Sequence, residues 1–474
     1  MDADDLCFLP LTELSAGLRR RDYSAVELVT ATLSRIDALN ASLNAFNLVL
    51  ADRAMAEAQA ADALFAVGRA VHPLHGIPYA IKDIFDLEGV VTTAGSKLLR
   101  VNTAVSDAFV TRRLADAGMI AVGKTITVEF ARGILGINHI QGTPHNPWHE
   151  IPHIPGGSSC GSAVAVAAGL APMALGSDTG GSVRAPAGLC AAVGLKTTVG
   201  RVSRSGVFPI SETLDTVGPL TRSVEDCALA YQAMIGEDPR DPSTQGVPSH
   251  DVLSTLKGGA AGLRVGIPND VFLDDLDSDV EVAFDESITV FESLGAQIRR
   301  IDVPEAAPAH AAGAFISGAE ACVVHERRLD EDVEQMDHVV GPRMLADRNI
   351  TAVEYIKAVR DARALRESLI RTLGDIDVLL MPTTSRPALP VATVDADPET
   401  YMDYSRAYAR NTRIGNVLDM CGVSVPGGFT KQGLPIGLLI CGKPFDEALV
   451  LRAGYAYEQA CAWCSRKPDM MWAK

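Results

Sequence analysis

The most informative segment of the chain runs from Gly156 to Arg184. It reads Gly156-Gly-Ser-Ser-Cys-Gly-Ser162, then Ala163-Val-Ala-Val-Ala-Ala-Gly169, and it closes with Gly176-Ser-Asp-Thr-Gly-Gly-Ser-Val-Arg184. No side chain in the middle segment is large, so a helix built from it can approach other backbone closely. We therefore predict a thin helix that begins within 158–162, a buried strand at 173–175 and a tight turn at 179–182.

The turn at 179–182 has the composition of a nucleophilic site. Its glycines leave backbone N–H groups unshielded beside the hydroxyl of Ser182, and such donors suit an oxyanion hole. A serine hydroxyl also needs a base before it can attack a carbonyl. The chain has ten histidines, but none stands in a recognisable triad context, and the Gly-X-Ser-X-Gly elbow is absent around Ser182.

A buried lysine is the other known way to activate a serine, because burial lowers the pKa of an amine. Lys82 ends the apolar segment Ile77-Pro-Tyr-Ala-Ile81, which we predict to be a strand. Taken alone, Lys82 would be interpreted as a surface lysine at a strand end, and Ser158 and Ser182 as ordinary turn residues. Only the order of several motifs along the chain favours a catalytic interpretation.

Taken in order, these segments resemble the amidase signature family. The chain matches the family's Gly-Gly-Ser-Ser segment and its Gly-Gly-Ser-X-Arg segment between Gly156 and Lys196, and it matches the family's lysine motif at 76–83. Further matches are Thr92–Ser96, Gly123–Thr125 with Glu129–Ala131, Gly142–Pro144 with Asn146–Trp148, and Asp215–Pro219. Together they cover most of residues 20–230, and such an ordered set is far more specific than a lone Gly-Gly-Ser.

The resemblance implies a catalytic role for three side chains. Lys82 would be the general base, Ser158 would relay the proton, and Ser182 would attack the amide carbonyl to form an acyl-enzyme. In the family the relay serine follows a cis peptide bond, and Gly157 is the least hindered residue for such a bond. Water would then release the acid, and neither a metal ion nor an organic cofactor is required.

The resemblance also implies how the turn would serve this chemistry. The oxyanion would be held by the backbone N–H groups of Thr179, Gly180, Gly181 and Ser182. Asp178 and Arg184 would support the turn through an ion pair and hydrogen bonds, without taking part in the reaction. The walls of the substrate pocket are expected to come from 132–141 and from the 310–360 region.

Other reactive side chains have simpler interpretations. Cys160 stands where the family usually has Gly or Ser, and we favour a small buried thiol over a nucleophile. Ser159 is expected to cap the predicted helix. The single Cys461-X-X-Cys464 pair is weak evidence for zinc. No metal site is predicted from three histidines at helical spacing, because prolines interrupt them: His145, His149 and His153.

The rest of the chain predicts an α/β fold. Short apolar strand candidates alternate with helices, as at 263–267, 279–293 and 297–302, which favours a large mixed central sheet with helices on both faces. Ser24 and Glu27 form a capping-box pattern at the start of a helix. No linker or repeat divides the chain, so we predict a single domain over 1–474. Its expected parts are a helical N-terminal region (1–70), a catalytic core (71–230) with the signature segment 156–200, a variable region (235–375) and a C-terminal part of the core (376–474).

Composition narrows the partners and the location. The formal net charge of −17 disfavours a nucleic-acid partner, because such binders carry basic surfaces. Nine cysteines, an odd number at irregular spacing, predict reduced thiols and a cytoplasmic protein. The acidic start does not resemble a secretory signal, and the longest apolar region, 163–175, is too short to span a membrane. The resemblance implies a homodimer.

These observations favour an amidase that acts alone on a small or medium-sized organic amide. The alternative within the same family is the glutamine-hydrolysing component of a tRNA-dependent amidotransferase, but residues 310–360 lack the segment that such components usually carry for glutamine. An inactive binding protein is disfavoured because Lys82, Ser158 and Ser182 are all present. Departures from the family pattern at Ile126 and Thr197 leave these three residues intact but weaken any analogy of substrate.

Overall fold

The computed structural model describes residues 3–269, 271–461 and 463–473. Its centre is one mixed sheet, built from strands β1 Phe46–Val49, β2 Pro78–Lys82, β3 Ile120–Thr125, β4 Met173–Asp178, β5 Val193–Lys196, β6 Thr216–Thr221, β7 Arg264–Pro268, β8 Gln297–Ile301, β9 Val378–Pro382, β10 Cys421–Phe429 and β11 Pro435–Gly442. Their order across the sheet is β1-β3-β2-β4-β6-β5-β10-β11-β9-β7-β8. Parallel pairing joins β2 to β3 and β4, and β7 to β8 and β9, while the other neighbours are antiparallel.

Helices surround this sheet. In chain order they are α1 Ala3–Cys7, α2 Leu11–Arg20, α3 Ala25–Leu43, α4 Ala51–Ala66, α5 Phe109–Asp116, α6 Cys160–Ala167, α7 Arg184–Cys190, α8 Val224–Met234, α9 Leu253–Leu256, α10 Ser278–Ser293, α11 Ala306–Val324, α12 Glu326–Glu331, α13 Val340–Asp347, α14 Ala352–Leu373, α15 Val391–Val394, α16 Pro398–Val417 and α17 Glu447–Cys461. No described helix is long and apolar enough to cross a membrane.

Both faces of the sheet are covered. Every residue of β2, β3 and β4 is buried, which requires packing on each side because successive side chains of a strand point to opposite faces. In β9, Val378 and Leu380 belong to one hydrophobic cluster, whereas Leu379 and Met381 belong to another. The predicted α/β fold with a large mixed sheet and helices on both faces is confirmed.

The small-residue segment forms the buried helix α6, as predicted. All eight of its residues are buried, including Cys160 and Gly161. A Cβ placed on Gly161 would lie 2.3 Å from the carbonyl oxygen of Ala45 and 2.6 Å from the nitrogen of Ile126. Real Cβ atoms do not approach so closely, so the absence of a side chain lets α6 pack directly on this backbone.

The N-terminal region agrees with its prediction except at one strand. The capping box of α3 is present, because Ser24 Oγ accepts from the N–H of Glu27 at 3.0 Å and Glu27 accepts from the N–H of Ser24 at 2.7 Å. However, β1 interrupts the region that was predicted to be helical. It is four residues long and half-exposed at the sheet edge beside β3, so it lacks the periodicity that marks longer strands.

Candidate active site

Lys82 lies at the carboxyl end of the buried strand β2. Its side chain is fully buried, and its Nζ donates hydrogen bonds of 2.8 Å to the Oγ of Ser158 and of 2.8 Å to the Oγ of Ser177. Burial lowers the pKa of Lys82 from 10.5 to about 7, although the charges of Asp178 and Asp215 act in the opposite direction. Near neutral pH a large fraction of this amine is therefore neutral and can accept a proton.

Ser177 was missed in the sequence. Because β2 and β4 are parallel neighbours, with Ile81 beside Leu175, their carboxyl ends meet at the same edge of the sheet. This places Ser177 beside Lys82, where the two side chains form a hydrogen bond. The signal was available in principle, since a polar residue directly follows the buried segment 173–176, but using it requires knowledge of which strands pair.

Ser158 is held beside Lys82 by its own backbone. The peptide bond between Gly157 and Ser158 is cis, which is the conformation that the resemblance implies. The carbonyl oxygen of Ser158 accepts from the hydroxyl of Thr127 at 2.9 Å and from the N–H of Val128 at 3.3 Å. A Cβ on Gly157 would lie 2.7 Å from backbone atoms of Gly133 and Gly136, so only glycine fits there.

Ser182 lies on the turn that joins β4 to α7 and borders a cavity of about 50 Å³, together with Thr179 and Gly180. A hydrogen bond of 3.3 Å from the N–H of Ser159 to the carbonyl of Ser182 connects this turn to the Ser158 segment. Within the described residues no hydrogen bond joins the hydroxyls of Ser158 and Ser182. As predicted, the 132–141 and 310–360 regions supply walls of the cavity.

The turn is organised by Asp178 and Arg184, both fully buried. Arg184 donates from Nε to Oδ2 of Asp178 at 3.0 Å and from Nη2 to Oδ1 at 2.8 Å, a bidentate pair. Asn416 of α16 joins the pair, since its amide donates to Asp178 Oδ1 at 2.9 Å and its oxygen accepts from Arg184 at 2.7 Å. Burial would raise the pKa of Asp178, but the charge and hydrogen bonds of Arg184 outweigh it and hold that pKa below its ordinary value.

The carboxylate of Asp178 reduces the number of N–H groups that are free to form the predicted oxyanion hole. The N–H of Gly181 donates to Asp178 Oδ1 at 2.8 Å, so it is already engaged within the protein. The N–H groups of Thr179, Gly180 and Ser182 have no acceptor in the part of the chain that the structure describes. These three, and not Gly181, are the donors available to a ligand. Gly181 has a φ of 127°, and a Cβ there would lie 2.1 Å from the Thr412 hydroxyl oxygen.

Asp178→Asn is expected to lower the free energy of unfolding by about 3–5 kcal/mol, because it leaves the Arg184 charge buried without a counter-charge. Urea denaturation measures this loss. Arg264 and Asp377 offer a matched control, since they form the same bidentate geometry at 3.0 and 2.7 Å but are partly exposed. Asp377→Asn should cost about 1 kcal/mol. Equal losses in the two variants would contradict the structural role assigned to Asp178.

Of the two residues that follow Ser158, Cys160 agrees with its prediction, whereas Ser159 does not make the expected cap hydrogen bond. Cys160 is a core thiol, as expected: it is fully buried, it donates to the carbonyl of Ile126 at 3.4 Å, and burial raises its pKa to about 12. A thiol with such a pKa is almost never a thiolate at neutral pH. Ser159 occupies the cap position of α6, but its hydroxyl makes no cap hydrogen bond and donates instead to the carbonyl of Ser177 at 3.4 Å.

The three histidines at helical spacing are engaged with protein groups. His145 and His153 bond to backbone carbonyls at 2.9 and 2.7 Å, while His149 accepts from a backbone N–H. The Cys461-X-X-Cys464 pattern lies partly outside the described residues, which omit Ala462 and the side chain of Cys464.

Among the described residues, His139, Asp337 and His338 form a group with metal-ligand spacing. Hydrogen bonds of 2.8 Å to Asp337 and 3.0 Å to Asp395 raise the pKa of His139 to about 9. Both of its ring nitrogens therefore face carboxylate oxygens within the protein.

Comparison with known proteins agrees with this arrangement. A profile of the amidase family matches residues 27–451. The chain therefore belongs to the amidase family, and it is a hydrolase of carbon–nitrogen bonds.

The relatives within this family differ in their named activities. The A subunit of the glutamyl-tRNA(Gln) amidotransferase from Geobacter metallireducens is 38% identical over 490 residues, which cover 98% of this chain and 99% of the relative. The native peptide amidase from Stenotrophomonas maltophilia is 32% identical with a TM-score of 0.85, over 97% of this chain and 98% of that one. A structure of a vestigial protein complex, described as revealing the evolutionary origins of an s-triazine catabolic enzyme, is 34% identical with a TM-score of 0.90, over 96% and 99%.

Proposed function

We propose that this enzyme hydrolyses the carboxamide of a small molecule through an acyl-enzyme on Ser182, with Lys82 as base and Ser158 as proton relay. The observation that carries the proposal is the 2.8 Å hydrogen bond between a fully buried lysine amine and Ser158, beside the turn that bears Ser182. The pKa of about 7 makes this amine a usable base near neutral pH.

The first half of the reaction forms the acyl-enzyme. Neutral Lys82 takes the hydroxyl proton of Ser158, which takes that of Ser182, while Ser182 Oγ bonds to the carbonyl carbon. The oxyanion accepts hydrogen bonds from the N–H groups of Thr179, Gly180 and Ser182, which have no other acceptor among the described residues. The C–N bond then breaks as the proton on Lys82 passes back through Ser158 to the leaving nitrogen.

The second half repeats these transfers with water. A water molecule gives a proton to Lys82 through Ser158 and bonds to the acyl carbon. Collapse of this second tetrahedral intermediate releases the carboxylic acid and returns the proton to Ser182. Ile210 borders both the Ser182 cavity and a cavity of about 1280 Å³ that reaches Ser177.

A second candidate is the glutamine-hydrolysing component of an amidotransferase, with a protein partner. It is favoured by relatives of that name at 37–38% identity over nearly the whole chain.

We also propose a cytoplasmic location. It is supported by seven described cysteines that are free thiols: Cys160, Cys190, Cys227, Cys322, Cys421, Cys441 and Cys461.

The purified chain alone is expected to release ammonia from at least one class in a panel of aliphatic, aromatic, dicarboxylic and amino-acid amides. A coupled ammonia assay with Ser182→Ala as the blank measures this release. Hydrolysis of glutamine as the best substrate would favour the second candidate. Failure on every amide, together with activity after addition of a partner protein, would overturn the proposal of an enzyme that acts alone.

A further inference from the structure

Three arginine side chains border the same small cavity as Ser182. Arg132 follows the turn 129–131, Arg343 lies in α13 and Arg413 in α16, so distant parts of the chain bring them together. Arg413 lies beside the proposed oxyanion donors, because a Cβ on Gly180 would be 3.8 Å from its Nε. Its stem passes directly over Gly313 of α11, where a Cβ would lie 3.0 Å from Cγ and Cδ of Arg413.

The charges of this cluster are not balanced within the protein. Arg132 pairs with Asp347 and donates to the carbonyl of Ser317 at 3.3 Å. By contrast, the guanidinium groups of Arg343 and Arg413 make no hydrogen bond or ion pair with any residue that the structure describes. Among those residues, Asp347 is the only acid that borders this cavity or the adjoining cavity of about 580 Å³, which the same arginines also line. Three arginines therefore border the Ser182 cavity, and no acid among the described residues lines it directly.

Buried arginines with a structural role in this chain have hydrogen-bond acceptors for their guanidinium groups. Arg184 is held by Asp178 and Asn416, and Arg201 donates to Glu447 and to the carbonyls of Pro248 and Phe445. Each of these guanidinium groups has several acceptors. Arg343 and Arg413 thus lack the acceptors expected of a structural arginine, although their donors line a cavity.

The two guanidinium groups are half-buried and lie close to other positive charges. Burial lowers the pKa of Arg413 to about 10, and the neighbouring charge of Arg132 lowers it further. Burial likewise lowers the pKa of Arg343 to about 9, with added repulsion from Arg132 and Arg413. A bound anion would supply the missing counter-charge and acceptors, and a planar carboxylate matches the fork of a guanidinium group.

We propose that the substrate is a short amide that carries a carboxylate, and that Arg343 and Arg413 bind this carboxylate while Ser182 attacks the amide. The inference rests on the proposed function, since it takes Ser182 as the nucleophile. The substrate is short because one small cavity brings the arginines and Ser182 together. An α-ammonium group is disfavoured, because no described acid lines this cavity and Asp347 of the adjoining cavity is already paired with Arg132.

Matched substrates test this specificity. We expect kcat/KM to be highest for a monoamide of a dicarboxylic acid from the series malonamate, succinamate and glutaramate. It should exceed the value for the neutral diamide of the same length by about 30-fold or more, as is typical for a lost partner of a buried charge pair. Glutaramate should also exceed glutamine, which differs from it only by the α-ammonium. N-acetylglycine, which carries its carboxylate on the leaving group, tells which side of the amide faces the arginines.

Variants test the residues. In Arg343→Met and in Arg413→Met the ratio of kcat/KM for the anionic amide over its neutral diamide should fall at least about tenfold. Arg410→Met is the control, because Arg410 lies on the same helix but borders neither cavity and donates to the carbonyl of Asp274. A preference for neutral amides, or an anionic preference that survives in both variants, would overturn the inference.

A binding measurement separates this inference from the catalytic proposal. Calorimetric titration of Ser182→Ala with glutarate and succinate measures binding without turnover. Adding Arg343→Met or Arg413→Met to this variant should raise the dissociation constant at least about tenfold. If the arginine changes weaken dicarboxylate binding while Ser182→Ala hydrolyses amides as fast as the wild type, Ser182 is refuted as the nucleophile but the anion site is kept. Absence of dicarboxylate binding, with amide hydrolysis that depends on Ser182, would refute the anion site alone.

Discussion

Replacing Ser182 by alanine is expected to lower kcat for amide hydrolysis by about 10⁴-fold or more, because no acyl-enzyme can form without the nucleophile. The loss is measured by ammonia release at saturating substrate. Ser182 is nearly buried on a turn whose backbone is held by Asp178, so the loss of one hydroxyl should leave the turn in place. Unfolding curves that match those of the wild type would show that the effect is chemical.

Two neighbouring residues serve as controls for this variant. Ser159→Ala removes a hydroxyl that makes only a 3.4 Å bond to a backbone carbonyl, and Cys160→Ala removes a thiol of high pKa. Both should keep kcat within about threefold of the wild type, as is usual for residues outside the reaction. If Cys160→Ala loses activity while Ser182→Ala keeps more than a tenth of it, the cysteine and not the serine would be the nucleophile.

Lys82→Met should lower kcat/KM by about 10³-fold, because general-base catalysis contributes roughly 10²–10⁴-fold. Methionine matches the length of the lysine stem and suits a site without water. The exposed Lys431 offers a control of the same chemistry, and Lys431→Met should change nothing. A Lys82→Met enzyme with activity near that of the wild type would refute the base, whatever happens in Ser182→Ala.

The same residue predicts the pH dependence of the wild-type enzyme. The base form of Lys82 is the neutral amine, so its fraction grows as the pH rises through the folded-state pKa of about 7. We therefore expect kcat/KM to rise about tenfold per pH unit well below 7 and to level off above it. Lys82→Met should lose this limb. A wild-type profile that is flat from pH 6 to pH 8 would contradict a base with this pKa.

Much of the fold could be predicted from the sequence because it depends on short-range patterns of residues. The small residues of 163–169 predicted a thin buried helix, and α6 packs at Gly161 on backbone that no larger residue would tolerate. The capping box at Ser24 and Glu27 and the succession β7, α10, β8 were likewise predicted from short-range signals. The edge strand β1 was not, since four half-exposed residues carry no clear period.

The ordered motifs that resemble the amidase signature family singled out Lys82, Ser158 and Ser182 from the sequence alone. The surroundings of these residues could not be predicted, because they depend on contacts between distant parts of the chain. Asn416, which completes the Asp178–Arg184 pair, is 238 residues from Asp178, and Ser177 meets Lys82 only because β2 and β4 are neighbours. The convergence of Arg343 and Arg413 on the Ser182 cavity has the same origin. The pKa of a lysine and the pairing of an arginine depend on burial and on neighbours in space. The adjacent residues along the chain therefore do not determine either property.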